Sequence, residues 1–224
     1  DRILAAQVRH YKPDVLVNGS IHWSHEVYRE IRPYVRLLVG LHGAPLPAVW
    51  DPDVYDLMLS CVDNFVDHFR SLGLRSERLR FAFEPSLLER LSGATPTIPV
   101  SFVGNISASH TSRVQWLEHV CRRASVQVWI PLTQGLPETS AITRHRHGAA
   151  WGLEMYEILH RSSMTLNHHI DMAEAYAGNL RLFEATGVGT LLVTDWKKNL
   201  HEMFEPGKEV IAYRTPEECV ELVQ

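Results

Sequence analysis

Apolar runs alternate with amphipathic stretches along almost the whole chain, and this alternation predicts its elements. Residues 2–11 (RILAAQVRHY) read as a helix that Pro13 stops, and residues 14–18 (DVLVN) as a short strand. Ser24 marks the start of a helix to about Arg32, which Pro33 ends. Residues 35–41 (VRLLVGL) form a strongly apolar strand that runs into the turn-rich His42-Gly43-Ala44-Pro45. Residues 55–61 read as a strand, 62–72 as a helix closed by Gly73, and 79–83 as a further short strand. Residues 92–99 (SGATPTIP) are uncharged and hold Gly93, Pro96 and Pro99, which marks a linker.

Beyond that linker the rhythm resumes. Strands are expected at 98–103, 126–130, 164–167, 190–194 and 210–213, and helices at about 109–123, 151–162, 179–187 and 196–204. Residues 133–147 are polar and read as a loop, and Thr215 caps a last helix. Fully apolar strands separated by helices imply βαβ units and parallel sheets covered on both faces. The expectation is an α/β protein of two doubly wound Rossmann-like domains, residues 1–95 and 96–224, the first incomplete. The chain starts at Asp1 without Met or a signal-peptide pattern and stops at Gln224 inside a helix, so it reads as a fragment of a longer protein.

Composition narrows the classes. Apolar residues make up 45% and charged residues 21%, ordinary globular values that exclude disorder, collagen and coiled coil. Net charge is −4, which excludes a primary nucleic-acid binder. No window nears the roughly 18 apolar residues of a membrane span. Cys61, Cys121 and Cys219 are widely spaced and fit a reducing, cytoplasmic setting rather than a disulfide scaffold.

In folds of this kind ligands sit beyond the carboxyl ends of strands, so the residues there carry the candidate chemistry. Gly104-Asn105-Ile106-Ser107 joins a strand to a helix. It is either a seat for a diphosphate, formed by backbone amides and the helix start, or an ordinary βα turn. Glu184 sits near a helix start with Asn179 and Arg181. A carboxylate there accepts ribose hydroxyls or simply suits the helix dipole, and arginine suits phosphate. Facing an open cleft, Glu184 would be expendable for stability. Asn167-His168-His169 ends another strand, and His42 precedes a Gly-Ala-Pro turn where it can serve acid–base work or merely be solvated. His22/His25, His145/His147 and His168-His169-x-Asp171 invite a metal reading, but none has the spacing of a known ligand set. Asp51-Pro52-Asp53 reads as a turn.

The segment from Asn179-Leu-Arg-Leu-Phe-Glu184 through Gly187 to Asp195, continued by Phe204-Glu-Pro-Gly207 and Tyr213, resembles the donor-site segment of group-1 glycosyltransferases. The CgeB-like branch of that family is also similar at Leu41-His-Gly-Ala-Pro45, Phe81-Ala-Phe-Glu-Pro85 and Phe102-Val-Gly-Asn-Ile-Ser107. The resemblance implies GT-B architecture, in which two Rossmann-like domains share an active site. It also implies transfer of a sugar from a nucleotide-diphospho-sugar donor to an acceptor the sequence does not identify, with no metal and no cofactor. It places Glu184 on the donor ribose, Gly104 and Asn105 facing the diphosphate, and Asn167, Asn179 and Arg181 near sugar or phosphate. His42 takes the first-domain position facing the transferred sugar. Many relatives carry a second Glu eight positions before the ribose carboxylate; here that place is Tyr176, so no stereochemical course is assigned. A nucleotide-sugar 2-epimerase and a non-catalytic nucleotide-sugar-binding domain are the alternatives, with a metallohydrolase more distant.

Overall fold

The computed structural model describes residues 2–19, 21–91, 93, 95–107, 109–131 and 136–224. The chain divides after Arg80 into two compact units, Asp1–Arg80 and Phe81–Gln224.

The first unit is built on a parallel sheet of β1 (Val15–Asn18), β2 (Leu37–His42), β3 (Leu57–Ser60) and β4 (Ser76–Arg78), in that spatial order. Helices α1 (Arg2–Tyr11), α2 (His25–Ile31) and α3 (Asp63–Ser71) accompany it. Each strand pairs with the next, so the winding never reverses. Right-handed crossovers in one direction place successive helices on one face. The core agrees: Ala5 and Val8 of α1, Val27 and Ile31 of α2 and Phe69 of α3 pack with Leu16, Leu38 and Met58 of the sheet. Side chains alternate along a strand, so Val15 and Val17 point to the opposite face, where they are 51% and 57% exposed. The first unit is therefore wound in one direction, and the reversal expected of a doubly wound domain is not seen among its described residues.

The second unit is doubly wound. Its sheet holds β5 (Ile98–Val103), β6 (Gln127–Trp129), β7 (Arg146–Gly148), β8 (Ser162–Asn167), β9 (Leu191–Asp195) and β10 (Val210–Tyr213), all parallel. The spatial order is β10-β9-β8-β5-β6-β7. The chain winds outward from β5 to β7, returns to the other side of β5, and winds outward again. The reversal therefore lies between β5 and β8. One face carries α4 (Thr111–Cys121), α5 (Ala141–His145) and α8 (Pro216–Val223), packed on Val100, Val128, Leu166 and Val193. The other carries α6 (Gly152–His160) and α7 (Arg181–Gly187), packed through Leu159 and Leu182 on Val103 and Leu192 respectively.

Several sequence expectations change. Residues 81–95 group with the second unit, because Phe83 and Leu91 pack with Ile98, Met155 and Leu159. Of the Pro-rich stretch, residues 95–97 lead into β5, while Ser92 and Ala94 lie outside the described part; apolar packing sets where the units divide. The strand expected at 79–83 is β4, at Ser76–Arg78. The helix expected at 196–204 is a single 3₁₀ turn, Leu200–Glu202, because the Asn199 side chain is spent on the main chain of Ala177. The polar stretch at 133–147 is not all loop: past residues 132–135, which lie outside the described part, it forms α5 and β7. Helix α5 is capped from a distance. Glu118 of α4 accepts bonds from Ser140 Oγ at 2.6 Å, Ala141 N at 2.9 Å and Ile142 N at 3.3 Å. A carboxylate on a helix start satisfies donors that otherwise have no partner.

Candidate functional site

The reversal of winding fixes the place. Where two neighbouring strands send their following chain to opposite faces, a crevice opens beyond their carboxyl ends. Here β5 leads into Gly104-Asn105 and β8 into His168-His169, so four residues from two distant sequence segments form the lips of one crevice. Strand β9 adds Asp195, and α4 begins beside them.

Gly104 does not offer its amide to a ligand: its N–H bonds Trp129 O at 3.0 Å and ties β5 to β6. The helix after it is not capped by Asn105 or Ser107. Its N-cap is His110, and Ser107 Oγ instead bonds His110 Nδ1 at 2.7 Å. Burial and the neighbouring Arg113 lower His110 to about 4.

Asn167 and Asn179, twelve residues apart, meet side chain to side chain. Asn179 Nδ2 donates to Asn167 Oδ1 at 2.7 Å, and Asn167 Nδ2 donates to Thr194 Oγ1 at 2.9 Å. This draws the chain at Asn179 onto the end of β8, and α7 starts at Arg181 rather than at the expected 179. Asn179 Oδ1 is buried with no hydrogen-bond partner among the described residues.

Arg181 and Glu184 share one turn of α7. Arg181 Nη1 lies 3.0 Å from Glu184 Oε2, both side chains are largely buried, and Arg181 Nη2 approaches Met155 sulfur at 3.4 Å. Burial lowers the Arg181 guanidinium, and Glu184 offsets this. Burial and the nearby Glu184 carboxylate both raise the Tyr156 phenol. The expectation that Glu184 is expendable for stability is thus corrected: the largely buried carboxylate is paired with Arg181. The Tyr176 ring lies under the Lys198 ammonium at 3.8 Å.

The sequence reading missed the deepest charges. Asp195 accepts from His169 Nδ1 at 2.6 Å and His169 N at 3.1 Å, and its other oxygen lies 3.2 Å from Lys197 Nζ. Burial by itself would raise its carboxyl, but His169, His168 and Lys197 hold it far below the ordinary carboxylate range. Lys197 also donates to Glu174 O at 2.5 Å, where the backbone takes a positive φ of 48°. His168 stacks on Trp116 at 4.9 Å and bonds Tyr213 OH at 3.0 Å, while Asp171 bonds Ser112. The His168-His169-Asp171 group is therefore spread over different hydrogen bonds.

His42 belongs to the first unit. It is 1% exposed, stacks on Phe65 at 4.1 Å and has Nδ1 3.0 Å from Ser60 Oγ. Burial lowers it to about 4, so it is neutral at pH 7. The solvated reading of His42 is thus excluded, and Nε2 is buried with no hydrogen-bond partner among the described residues. His25 pairs with Asp51, His145 Nδ1 lies 3.0 Å from Val126 O, and His147 stacks on Trp129.

A family profile described as glycosyl transferase-like matches residues 84–224. No curated protein matches the chain. Among solved structures, a glycosyltransferase from Rickettsia africae is similar at TM-score 0.65 and 8% identity, covering 99% of this chain and 68% of its own. HepE from Anabaena, solved in complex with UDP, is similar at TM-score 0.63 and 12% identity, covering 99% and 71%. Sucrose-phosphate synthase from Thermosynechococcus elongatus is similar at TM-score 0.63 and 11% identity, covering 98% and 66%. The chain spans only 52% of a chain of the GtfA/B complex, which it also resembles. At these identities the likeness shows the fold.

Proposed function

From the premise that this chain belongs to the glycosyl transferase-like family, whose profile covers residues 84–224, we propose that it is the nucleotide-sugar-handling part of a glycosyltransferase. The reaction moves a sugar from a nucleotide-diphospho-sugar to an acceptor and needs no metal. The observation that supports this best is the Asn167–Asn179 pair, followed two residues on by the Arg181–Glu184 pair at the start of α7, beside the reversal of a sheet's winding. Glu184 is oriented by Arg181 and receives the donor ribose. Asn105 and the Gly104 turn face the diphosphate, and the spare acceptor of Asn179 takes a sugar hydroxyl. HepE is described with UDP, which supports a nucleotide of this kind as ligand. The CgeB-like pattern is carried by the same segments.

The chemistry asks for little beyond placement. An oxocarbenium-like sugar forms as the nucleotide diphosphate departs, as in glycoside hydrolysis. Fixed dipoles and guanidinium groups stabilise the departing charge. His42 of the first unit is neutral, a state suited to accepting a hydroxyl proton. Among the described residues no helix is long and apolar enough to cross a membrane, and the three cysteines are free and buried, which suits the cytoplasmic setting proposed here.

Tyr176 favours one second reading, a nucleotide-sugar-binding domain without catalysis, because an aromatic ring under Lys198 stands where relatives place a carboxylate. Titration with UDP, GDP and ADP, followed by transfer assays with labelled nucleotide-sugars with and without EDTA, decides. Binding with transfer that survives EDTA supports the main reading. Binding without transfer supports the second, epimerisation without acceptor supports a 2-epimerase, and no binding defeats all three.

A further inference from the structure

On the helix-bearing face of the first sheet the core changes character at the carboxyl edge. Leu16, Leu38 and Met58 form an apolar layer, but β1, β2 and β3 end in Asn18, His42 and Ser60, all polar and at most 1% exposed. Each lies an even number of residues beyond its apolar partner, so all three share that face. His42 and Ser60 bond each other, whereas Asn18 is joined to two phenols. Its Nδ2 donates to Tyr28 Oη at 3.1 Å and to Tyr55 Oη at 3.0 Å, and the two hydroxyls lie 2.5 Å apart. Both tyrosines are buried.

A count of hydrogens shows what this triad has left to give. The two amide hydrogens of Asn18 are both spent, one on each phenol. The phenols hold two hydrogens, and their mutual bond uses one. Whichever ring donates, the other keeps an O–H with no acceptor among the described residues. Burial raises both phenols, Tyr55 strongly, so both hydrogens stay in place at pH 7. Buried donors are ordinarily satisfied, so the spare hydrogen calls for an acceptor from outside the chain. Its surroundings say of what kind. The Trp23 ring lies 5.8 Å from that of Tyr28 and is only partly covered. Asp51 lies close enough for its charge to raise both phenols further, and it pairs with His25 while its side chain stays 23% exposed. A carboxylate has lone pairs left after one such pairing. A donor hydrogen, a carboxylate and a partly open indole suit a molecule whose hydroxyls both give and accept beside an apolar C–H face. The negative charge of Asp51 disfavours an anion at the same place.

We propose that Asn18, Tyr28 and Tyr55, with Trp23 and Asp51 beside them, form a binding subsite of the first unit for an uncharged sugar. The spare phenol hydrogen donates to one hydroxyl oxygen, Asp51 accepts from a neighbouring hydroxyl, and the indole covers the C–H face of the ring. Asn18 holds the two phenols in place without touching the ligand. On the glycosyl-transfer reading above, on which this role rests, the sugar belongs to the acceptor. The acceptor is then a glycan or glycoside rather than a phosphorylated or acidic molecule.

The test uses the whole chain. Maltose, lactose and methyl α-mannoside are the neutral probes, glucose 6-phosphate the anionic probe and UDP the donor-side probe. Affinities are measured by calorimetry, and the side-chain NMR signals of Tyr28 and Tyr55 are followed in wild type. The expected result is that a neutral sugar binds about tenfold or more tighter than glucose 6-phosphate and shifts both tyrosine signals, which UDP leaves in place. Tyr28→Phe with Tyr55→Phe removes the donor and should weaken that sugar by about tenfold or more, and Trp23→Leu by about threefold, with UDP affinity within about twofold in each. UDP binding without any neutral sugar overturns the proposal and leaves the nucleotide-sugar reading standing. So do a preference for glucose 6-phosphate and a bound sugar that leaves the tyrosine signals unmoved, since the spare hydrogen then serves a water only. A neutral sugar that moves the tyrosines in a chain that binds no UDP supports the subsite and defeats the nucleotide-sugar reading. Should the double variant not fold, the wild-type tyrosine signals and Trp23→Leu decide by the same criteria.

Discussion

The ring of Phe83 occupies the space that a Cβ on Gly187 would need: its Cδ2 lies 2.5 Å from that position, and its Cγ lies closer still. Gly187 ends α7, and Phe83 stands edge-on to Tyr156, whose phenol feels the Glu184 carboxylate. The absence of a side chain at one position thus supports the packing behind a candidate donor-binding carboxylate. The nearest atoms belong to the root of the ring, which cannot swing aside as a flexible tip can. Gly187→Ala should therefore cost about 1–3 kcal/mol, the range for overpacking a filled site. Phe83→Leu in the same chain should recover part of it, and urea melts of the singles and the double read the coupling.

Glu184→Gln should both weaken nucleotide binding by about tenfold and lower stability. The second effect follows from the buried Arg181, which loses its charged partner; breaking a buried pair costs roughly 3–5 kcal/mol, less where water reaches part of it. A Glu184→Gln chain that melts like wild type would mean the pair is too well solvated to matter. Arg181→Met with Glu184→Gln should be more stable than Glu184→Gln alone, because no unpaired cation is left.

Asp195→Asn should be among the most damaging single changes in the second unit. It leaves Lys197 without its carboxylate and weakens the hold on His169, a loss of about 3–5 kcal/mol by the same reasoning. The folded carboxyl is depressed, so its contribution is fully present above the unfolded value near 3.9 and fades only as pH falls through the lower folded value. Wild type should therefore keep this contribution at pH 5, and the difference in urea midpoint between wild type and Asp195→Asn should be the same at pH 7 and pH 5.

His42 gives the opposite pH window. Its folded value, about 4, lies below the unfolded 6.5, so the unfolded chain binds more protons between these limits. Stability should fall as pH drops from 6.5 toward 4, by at most about 1.4 kcal/mol per pH unit for this one group. His110 and His168, both lowered to about 4, add to the fall. His42→Asn should flatten the slope, most clearly when first-unit signals such as Trp23 or Trp50 fluorescence report unfolding.

Glu118→Ala should unfasten α5 without touching the crevice. Burial acts to raise its carboxyl, but the bonds from Ser140, Ala141 and Ile142 win and bring it down to about 2. Loss of such a cap costs about 0.5–2 kcal/mol. Hydrogen exchange should rise at residues 141–145 and stay unchanged in α7.

The strands, their parallel direction and most of the helices were written in the sequence, because burial on both faces demands unbroken apolar runs and the chain must punctuate them with Gly and Pro. The closeness of Asn179, Arg181 and Glu184 was legible for a similar reason: they stand close together in the chain, around one helix start. What the tertiary structure alone decided is where distant segments meet. No local pattern shows that β8 returns to the side of β5, since strand order depends on which apolar faces pack together. Without that order, Asp195 is one more residue at a strand end. The cap of α5 comes from Glu118 on another helix, so the polar stretch it organises reads as loop. The division of the chain falls at Arg80 rather than within residues 92–99, because Phe83 and Leu91 find their apolar partners downstream. Local propensity names the elements; pairing of buried charges and filling of buried volume, which act only once the chain is folded, assemble the site.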